Sequence, residues 1–138
     1  MNRLVAGLVI SGTAFMVLAG CHGLKDQGVE NTAAPPPTFI VFFEGRSTDL
    51  TADGQKIVAA AAKDARSSGV TMVQVSGPST QVTPHYDPGL AEPRIKLVED
   101  ELKAKGVPKN LLVRTSLPTD KVLVTTSGAQ RVEIRVLK

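Results

Sequence analysis

Hydrophobic and polar positions divide the chain into three regimes. Leu4 to Ala19 is a 16-residue apolar run, broken only by small or hydroxyl residues such as Gly7, Ser11, Gly12 and Thr13, with Arg3 ahead of it. A spanning helix needs roughly 20 predominantly apolar residues, so this run is short for a permanent span. Its charged start, apolar middle and small-residue exit have the layout of a secretory signal. From His22 to Pro37 no apolar period emerges, and the stretch closes on Ala33-Ala34-Pro35-Pro36-Pro37. That composition predicts a flexible tether with a polyproline-like end. Its reach is at most about 50 Å if fully extended and about 22 Å as a coil.

Periodic structure begins at Thr38. Phe39-Ile40-Val41-Phe42-Phe43 is apolar on both alternating faces, which predicts a central strand. After a polar break from Glu44 to Asp49, Thr51 is placed to cap a helix, with Asp53 complementing its positive end. Ile57, Val58, Ala61, Ala62 and Ala65 then recur at helical spacing, and Gly69 suits a left-handed stop. Val70 to Ser76 alternates as a strand, with Val73 and Val75 on one face and Met72 and Gln74 on the other. The segment from Gly77 to Gly89 is too rich in proline and glycine for a regular element, and long loops in compact domains are often functional. A second helix follows Leu90, with Ile95, Val98 and Leu102 on one face and Leu97 beside them. Pro93 fits only its first turn, and Gly106-Val107-Pro108 ends it. Leu111 to Thr115 reads as a strand. Lys121 to Thr126 and Arg131 to Leu137 read as a pair around Ser127-Gly128-Ala129-Gln130. In the last strand Val132, Ile134 and Val136 alternate with Arg131, Glu133 and Arg135, one face buried and the other wet. The expected fold class is α+β, a βαβαββ sandwich whose mixed sheet carries two helices on one face.

Composition narrows the function. The 138 residues hold 16 basic and 13 acidic side chains, a net +3; without residues 1–20, which carry only Arg3, the excess is +2. So mild an excess, with no basic stripe interleaved with aromatics, gives no reason to expect nucleic acid. Cys21 is the single cysteine, so no disulfide forms within one chain and stability rests on an aliphatic core. His22 and His85 stand alone, without the clustered ligands that zinc requires. His85 and Asp87 with Ser76 or Ser79 could be drawn as a catalytic trio, but all lie in or beside one loop without a nucleophile turn or oxyanion donors. No enzymatic activity, cofactor or metal is expected.

Leu18-Ala19-Gly20-Cys21, where the apolar run ends, resembles the lipobox of bacterial lipoproteins. The resemblance implies cleavage before Cys21, lipid on its thiol, and a mature chain anchored to a membrane without spanning it. His22 stands where an Asp would favour inner-membrane retention, which leans towards the outer membrane with the domain facing the periplasm.

A strand ending in Phe43, Leu50-Thr51 opening a helix, a strand ending at Gly77, Leu90-Ala91-Glu92-Pro93-Arg94, Lys105-Gly106-Val107-Pro108 and a closing Arg131-Val132-Glu133-Ile134 together resemble the OmpA-like C-terminal domain. The likeness covers about residues 38–138, and peptidoglycan-associated lipoproteins share its anchor, tether and domain. It implies three parts: a signal peptide at 1–20, a lipidated Cys21 and tether over 21–37, and the domain at 38–138. In that family the domain binds the peptidoglycan stem peptide without reacting with it. A loop Asp in G-H-T-D pairs with the amino group of diaminopimelate, and an Arg in N-x-x-L-S-x-x-R-A pairs with its carboxylate, which a planar guanidinium grips bidentately.

Matched residue by residue, Arg94 keeps the motif's arginine, four positions after Leu90. Gly-His-Thr-Asp corresponds to Gly77-Pro78-Ser79-Thr80, so Thr80 replaces the acid. The motif's Asn, Ser and Ala fall on Asp87, Ala91 and Ile95, and the Asn-Arg that usually precedes Arg-Val-Glu-Ile is Ala129-Gln130. Asp87, in the same loop, is the candidate to restore the lost charge. The leading expectation is a lipid-anchored envelope protein that tethers the outer membrane to the cell wall, with Arg94, Asp87 and Thr80 as candidate peptidoglycan-binding residues. The alternative is an OmpA-like domain diverged into an interaction module for other envelope or secretion proteins.

Overall fold

Thr38–Phe42 (β1), Met72–Gly77 (β2), Leu112–Ser116 (β3) and Arg131–Leu137 (β4) form one sheet in the order β1-β4-β2-β3. The computed structural model describes residues 34–118 and 125–138, and the folded unit runs Ala34–Lys138. β4 runs antiparallel to both neighbours, whereas β2 and β3 are parallel. A parallel pair needs a crossover connection, and the helix Ala91–Ala104 (α2) supplies it. The helix Ala52–Ala65 (α1) links β1 to β2, and both helices pack on the sheet and on each other.

The core lies between that helical layer and the inward row of the sheet. In register, Val41 faces Val132, Ile134 faces Val75, and Val136 faces Val73. All six are fully buried. Val58, Ala61, Ala62 and Ala65 cover them from α1, and Ile95, Val98 and Leu102 from α2. The alanines let the helix axis approach the sheet, while each buried branched side chain stabilises the fold by about 1.5–3 kcal/mol.

The helix ends follow from their residues. Thr51 Oγ1 accepts from the Gly54 amide at 3.0 Å, satisfying an otherwise orphaned donor. Pro93 sits in the first turn of α2, where the missing N–H has no intrahelical partner. Gly106, at φ +88°, takes the left-handed conformation that turns the chain out of that helix. The neighbouring Arg114 of β3 donates to both carboxylate oxygens of the buried Glu99, at 2.9 Å from Nε and 2.7 Å from Nη2. That bidentate bond pins the edge strand to α2 and raises the guanidinium pKa, chiefly through the bond to Glu99.

Three expectations need correction. β1 is an edge strand and pairs only with β4 among the described residues. Its inward residue Val41 is buried, while Ile40 and Phe42 lie 38% and 49% exposed on the opposite face. The polar face of β4 is not uniformly wet, for Arg131 and Glu133 are buried and joined at 2.8 Å. β4 is central, so the two are flanked in register by Phe42 and Ile40 on β1, and Glu133 also by Ser76 on β2. Finally, the segment read as a turn at Ser127–Gln130 contributes to a single helical turn, Thr126–Ala129 (α3), capped by Thr125 Oγ1 accepting from Gly128 N at 2.9 Å. The strand expected before it lies outside the described residues over 121–124.

The expected leader, Cys21 and the tether as far as Ala33 also lie outside the described residues. Ala34 to Pro37 are exposed and belong to no helix or strand. No helix among the described residues is long and apolar enough to cross a membrane.

Candidate functional site

The loop between β2 and α2 starts with a close approach. A Cβ on Gly77 would lie 3.2 Å from Ile95 Cδ1, so glycine lets the strand end sit directly against α2. Pro78 follows, buried, and its carbonyl accepts from the Tyr86 hydroxyl at 2.6 Å. Tyr86 is 2% exposed, so the loop folds back and closes on its own first residue. Burial is the main reason the phenol's pKa is raised.

Asp87 comes next and is held at both carboxylate oxygens. Oδ1 accepts from the Gly89 amide at 2.9 Å, forming the cap of the 3-10 turn Pro88–Leu90 that leads into α2. Oδ2 meets Arg46 Nη2 at 3.2 Å. Together with Gln81, Pro84, His85, Tyr86 and Pro88, these two charged residues line a polar cavity of about 450 Å³. Thr80 is exposed in the same loop but does not line that cavity.

Arg94 lies behind this arrangement. It is 1% exposed, and its guanidinium donates to three acceptors in two parts of the chain. Nε donates to the Ser47 carbonyl at 2.9 Å, Nη2 to the Gly45 carbonyl at 2.7 Å, and Nη1 to Gln130 Oε1 at 2.6 Å. Its Cζ stands 4.9 Å from the centroid of the Phe43 ring, a cation–π contact of the kind strengthened by desolvation. Burial lowers its pKa. The bonded oxygens all belong to neutral groups, so Arg94 fixes the turn Gly45–Ser47 from the inside. Arg46, between the two gripped carbonyls, reaches Asp87 from the outside.

The candidate residues therefore divide. Asp87 faces a cavity, Arg94 braces the turn that forms its rim, and Thr80 lies nearby in the loop. Arg46 was not singled out by the sequence, because one arginine in a polar turn has no periodicity or motif to mark it. Its partner across the cavity is 41 residues away. A second cavity of about 460 Å³, lined by Phe42, Phe43, Gly45, Thr126, Ser127 and Gln130, is mostly apolar and lies on the β1 side of the same turn. No group of three or more histidine, cysteine or acidic side chains suited to a metal occurs among the described residues.

No protein-family model matches the chain, and no curated protein matches it. Solved structures do. The OmpA-like domain of FopA1 from Francisella tularensis is 19% identical with a TM-score of 0.56, over 93% of this chain and 98% of that one. The peptidoglycan-associated lipoprotein from Burkholderia pseudomallei is 20% identical with a TM-score of 0.56, over 72% and 90%. The periplasmic domain of Helicobacter pylori MotB is 20% identical with a TM-score of 0.53, over 75% and 77%. The sheet order, the helical layer and these likenesses agree on one conclusion: the chain carries the OmpA-like α+β fold.

Proposed function

We propose that this chain is a non-enzymatic, lipid-anchored envelope protein whose OmpA-like domain associates with peptidoglycan and tethers the outer membrane to the cell wall. The observation that carries the reading is Asp87, an acid fixed by the Gly89 amide at the edge of a polar cavity. It stands in the loop before α2 that carries the aspartate of the resembled family, at the position of that motif's Asn. It supplies an anion for a ligand ammonium in place of the one absent at Thr80. Two structural relatives bear on the compartment and the partner, one being named a peptidoglycan-associated lipoprotein and another a periplasmic domain.

Arg94 enters this reading as a positioning residue, because two of its three side-chain bonds hold the turn Gly45–Ser47 that carries Arg46 to the cavity. The anchor is lipid on Cys21, and the ligand is a stem peptide that contains diaminopimelate. Sedimentation of the full chain with purified sacculi tests the reading. Wild type is expected in the pellet, and Asp87→Asn, which keeps the turn-capping oxygen, is expected to lose at least tenfold in affinity. If wild type stays in the supernatant, wall binding is overturned. The domain then serves protein partners, a reading favoured by Phe42 and Ile40 exposed on the outer face of β1.

A further inference from the structure

β1 bonds to β4 with every second residue. Val136 N donates to Pro37 O at 3.1 Å and Phe43 N to Gln130 O at 2.8 Å, so Pro37, Phe39, Val41 and Phe43 are the residues turned to β4 in this antiparallel pair. The alternation of such a ladder points the N–H and C=O of Thr38, Ile40 and Phe42 at the open edge. All three residues are exposed, and those backbone groups bond to nothing among the described residues. Sheets usually guard an open edge with charges, proline or a bulge. Thr38-Phe39-Ile40-Val41-Phe42 has neither charge nor proline, and its Ile40 and Phe42 are 38% and 49% exposed. The opposite edge, β3, carries Arg114 bonded to Glu99.

We propose that β1 is a self-pairing edge, through which two copies of this chain form a symmetric dimer with antiparallel β1 strands and the two-fold axis at Ile40. In that register Ile40 stands opposite Ile40 and Thr38 opposite Phe42. The edge-facing residues of each strand therefore meet those of the other, and each pair exchanges both of its N–H···O bonds. A two-fold interface requires a patch complementary to itself, and an uncharged strand sets no like charges against each other. A strand of another protein would need its own matching row, which a second copy carries by construction. The register is bounded at both ends. Sliding the strands two residues one way puts Pro36, which has no N–H to donate, opposite Phe42. Sliding them the other way puts Thr38 opposite Glu44, in the turn closed by Ser47 N donating to Glu44 O at 2.8 Å. Pairing covers Ile40 and Phe42 on the outer face and Phe39, only partly buried, on the inner one. It also joins two four-stranded sheets into one. The inference does not depend on wall binding.

Sedimentation velocity of the full chain over a concentration series tests the dimer. Wild type is expected to pass reversibly from monomer to dimer as concentration rises. Ile40→Lys and Ile40→Glu each place like charges at the axis and should weaken the dimer at least tenfold. An equimolar mixture of the two variants sets Lys against Glu across the axis and should recover dimer, a result that neither misfolding nor association elsewhere in the chain reproduces. Wild type that stays monomeric at its highest soluble concentration overturns the proposal and leaves the edge to a strand of another protein. A dimer equally stable in Ile40→Lys overturns it as well, since the contact then lies away from β1.

Discussion

Arg94 shows how a charged side chain recognised by position can serve the site indirectly. Its guanidinium is out of water and answered by two carbonyls, an amide oxygen and an aromatic face. Arg94→Ala would leave three acceptors without their donor. A buried polar group left unsatisfied costs about 1–3 kcal/mol, so the variant should lose roughly 3 kcal/mol or more, read as a lowered urea midpoint. Arg94→Lys keeps the charge without the fork and should fall between the two. A midpoint unchanged in Arg94→Ala would remove the bracing role. Asp100 is a contrasting case on the exposed face of α2. Hydrogen bonds from Lys103 and Lys96 lower its pKa from 3.8 to about 2. Because the folded value is depressed, the stabilisation is present above the unfolded value and is lost as pH falls through about 2. Wild type and Asp100→Asn should therefore differ in melting temperature near neutral pH and converge towards pH 2, with the difference reduced by salt.

Elements whose identity rests on local chemistry were legible in the sequence, and those fixed by long-range pairing were not. Thr51, the alanine-rich face and Gly69 predicted α1, and Pro93 with Gly106 bracketed α2. β1 was misplaced because a run apolar on both faces looks alike whether helices cover both sides or one side stays exposed. Only the pairing places it at an edge, with Ile40 and Phe42 outward. The same limitation hid the candidate site, since Asp87 could be read from its loop but Arg46 acquires meaning only when the β1–α1 turn meets that loop. At β4, alternation correctly separated two faces, but centrality buried Arg131 and Glu133. Removing one member of a buried pair is costlier than the pair is worth, about 3–5 kcal/mol. Glu133→Ala should lower stability, because Arg131 loses this buried ion pair and Arg135, 3.4 Å from the other oxygen, loses the same partner. Glu101→Ala, on α2 and more exposed, should change it by less than about 1 kcal/mol, and equal urea midpoints for the two variants would show that the β4 pair does not stabilise the fold.

At the scale of the whole chain the proposed bridge needs two attachments that act independently, with a spacer between them. One acyl chain holds a protein to a bilayer only marginally, while each buried methylene adds about 0.8 kcal/mol, so the several chains proposed at Cys21 would give a durable anchor. The 16 residues from His22 to Pro37 give the domain up to about 50 Å of reach. Once the anchor is set, wall binding becomes intramolecular at an effective concentration set by that spacer. Cys21→Ser should therefore leave the membrane fraction and fail to incorporate labelled palmitate, yet keep wild-type affinity for isolated sacculi. Asp87→Asn should do the reverse, staying with membranes while losing the wall. In a mixture of vesicles and sacculi only the wild-type, lipidated chain should bring the two into one pellet. If Cys21→Ser remains membrane-bound, or if losing the anchor abolishes wall affinity in solution, the two ends are not separable and the bridge is the wrong description.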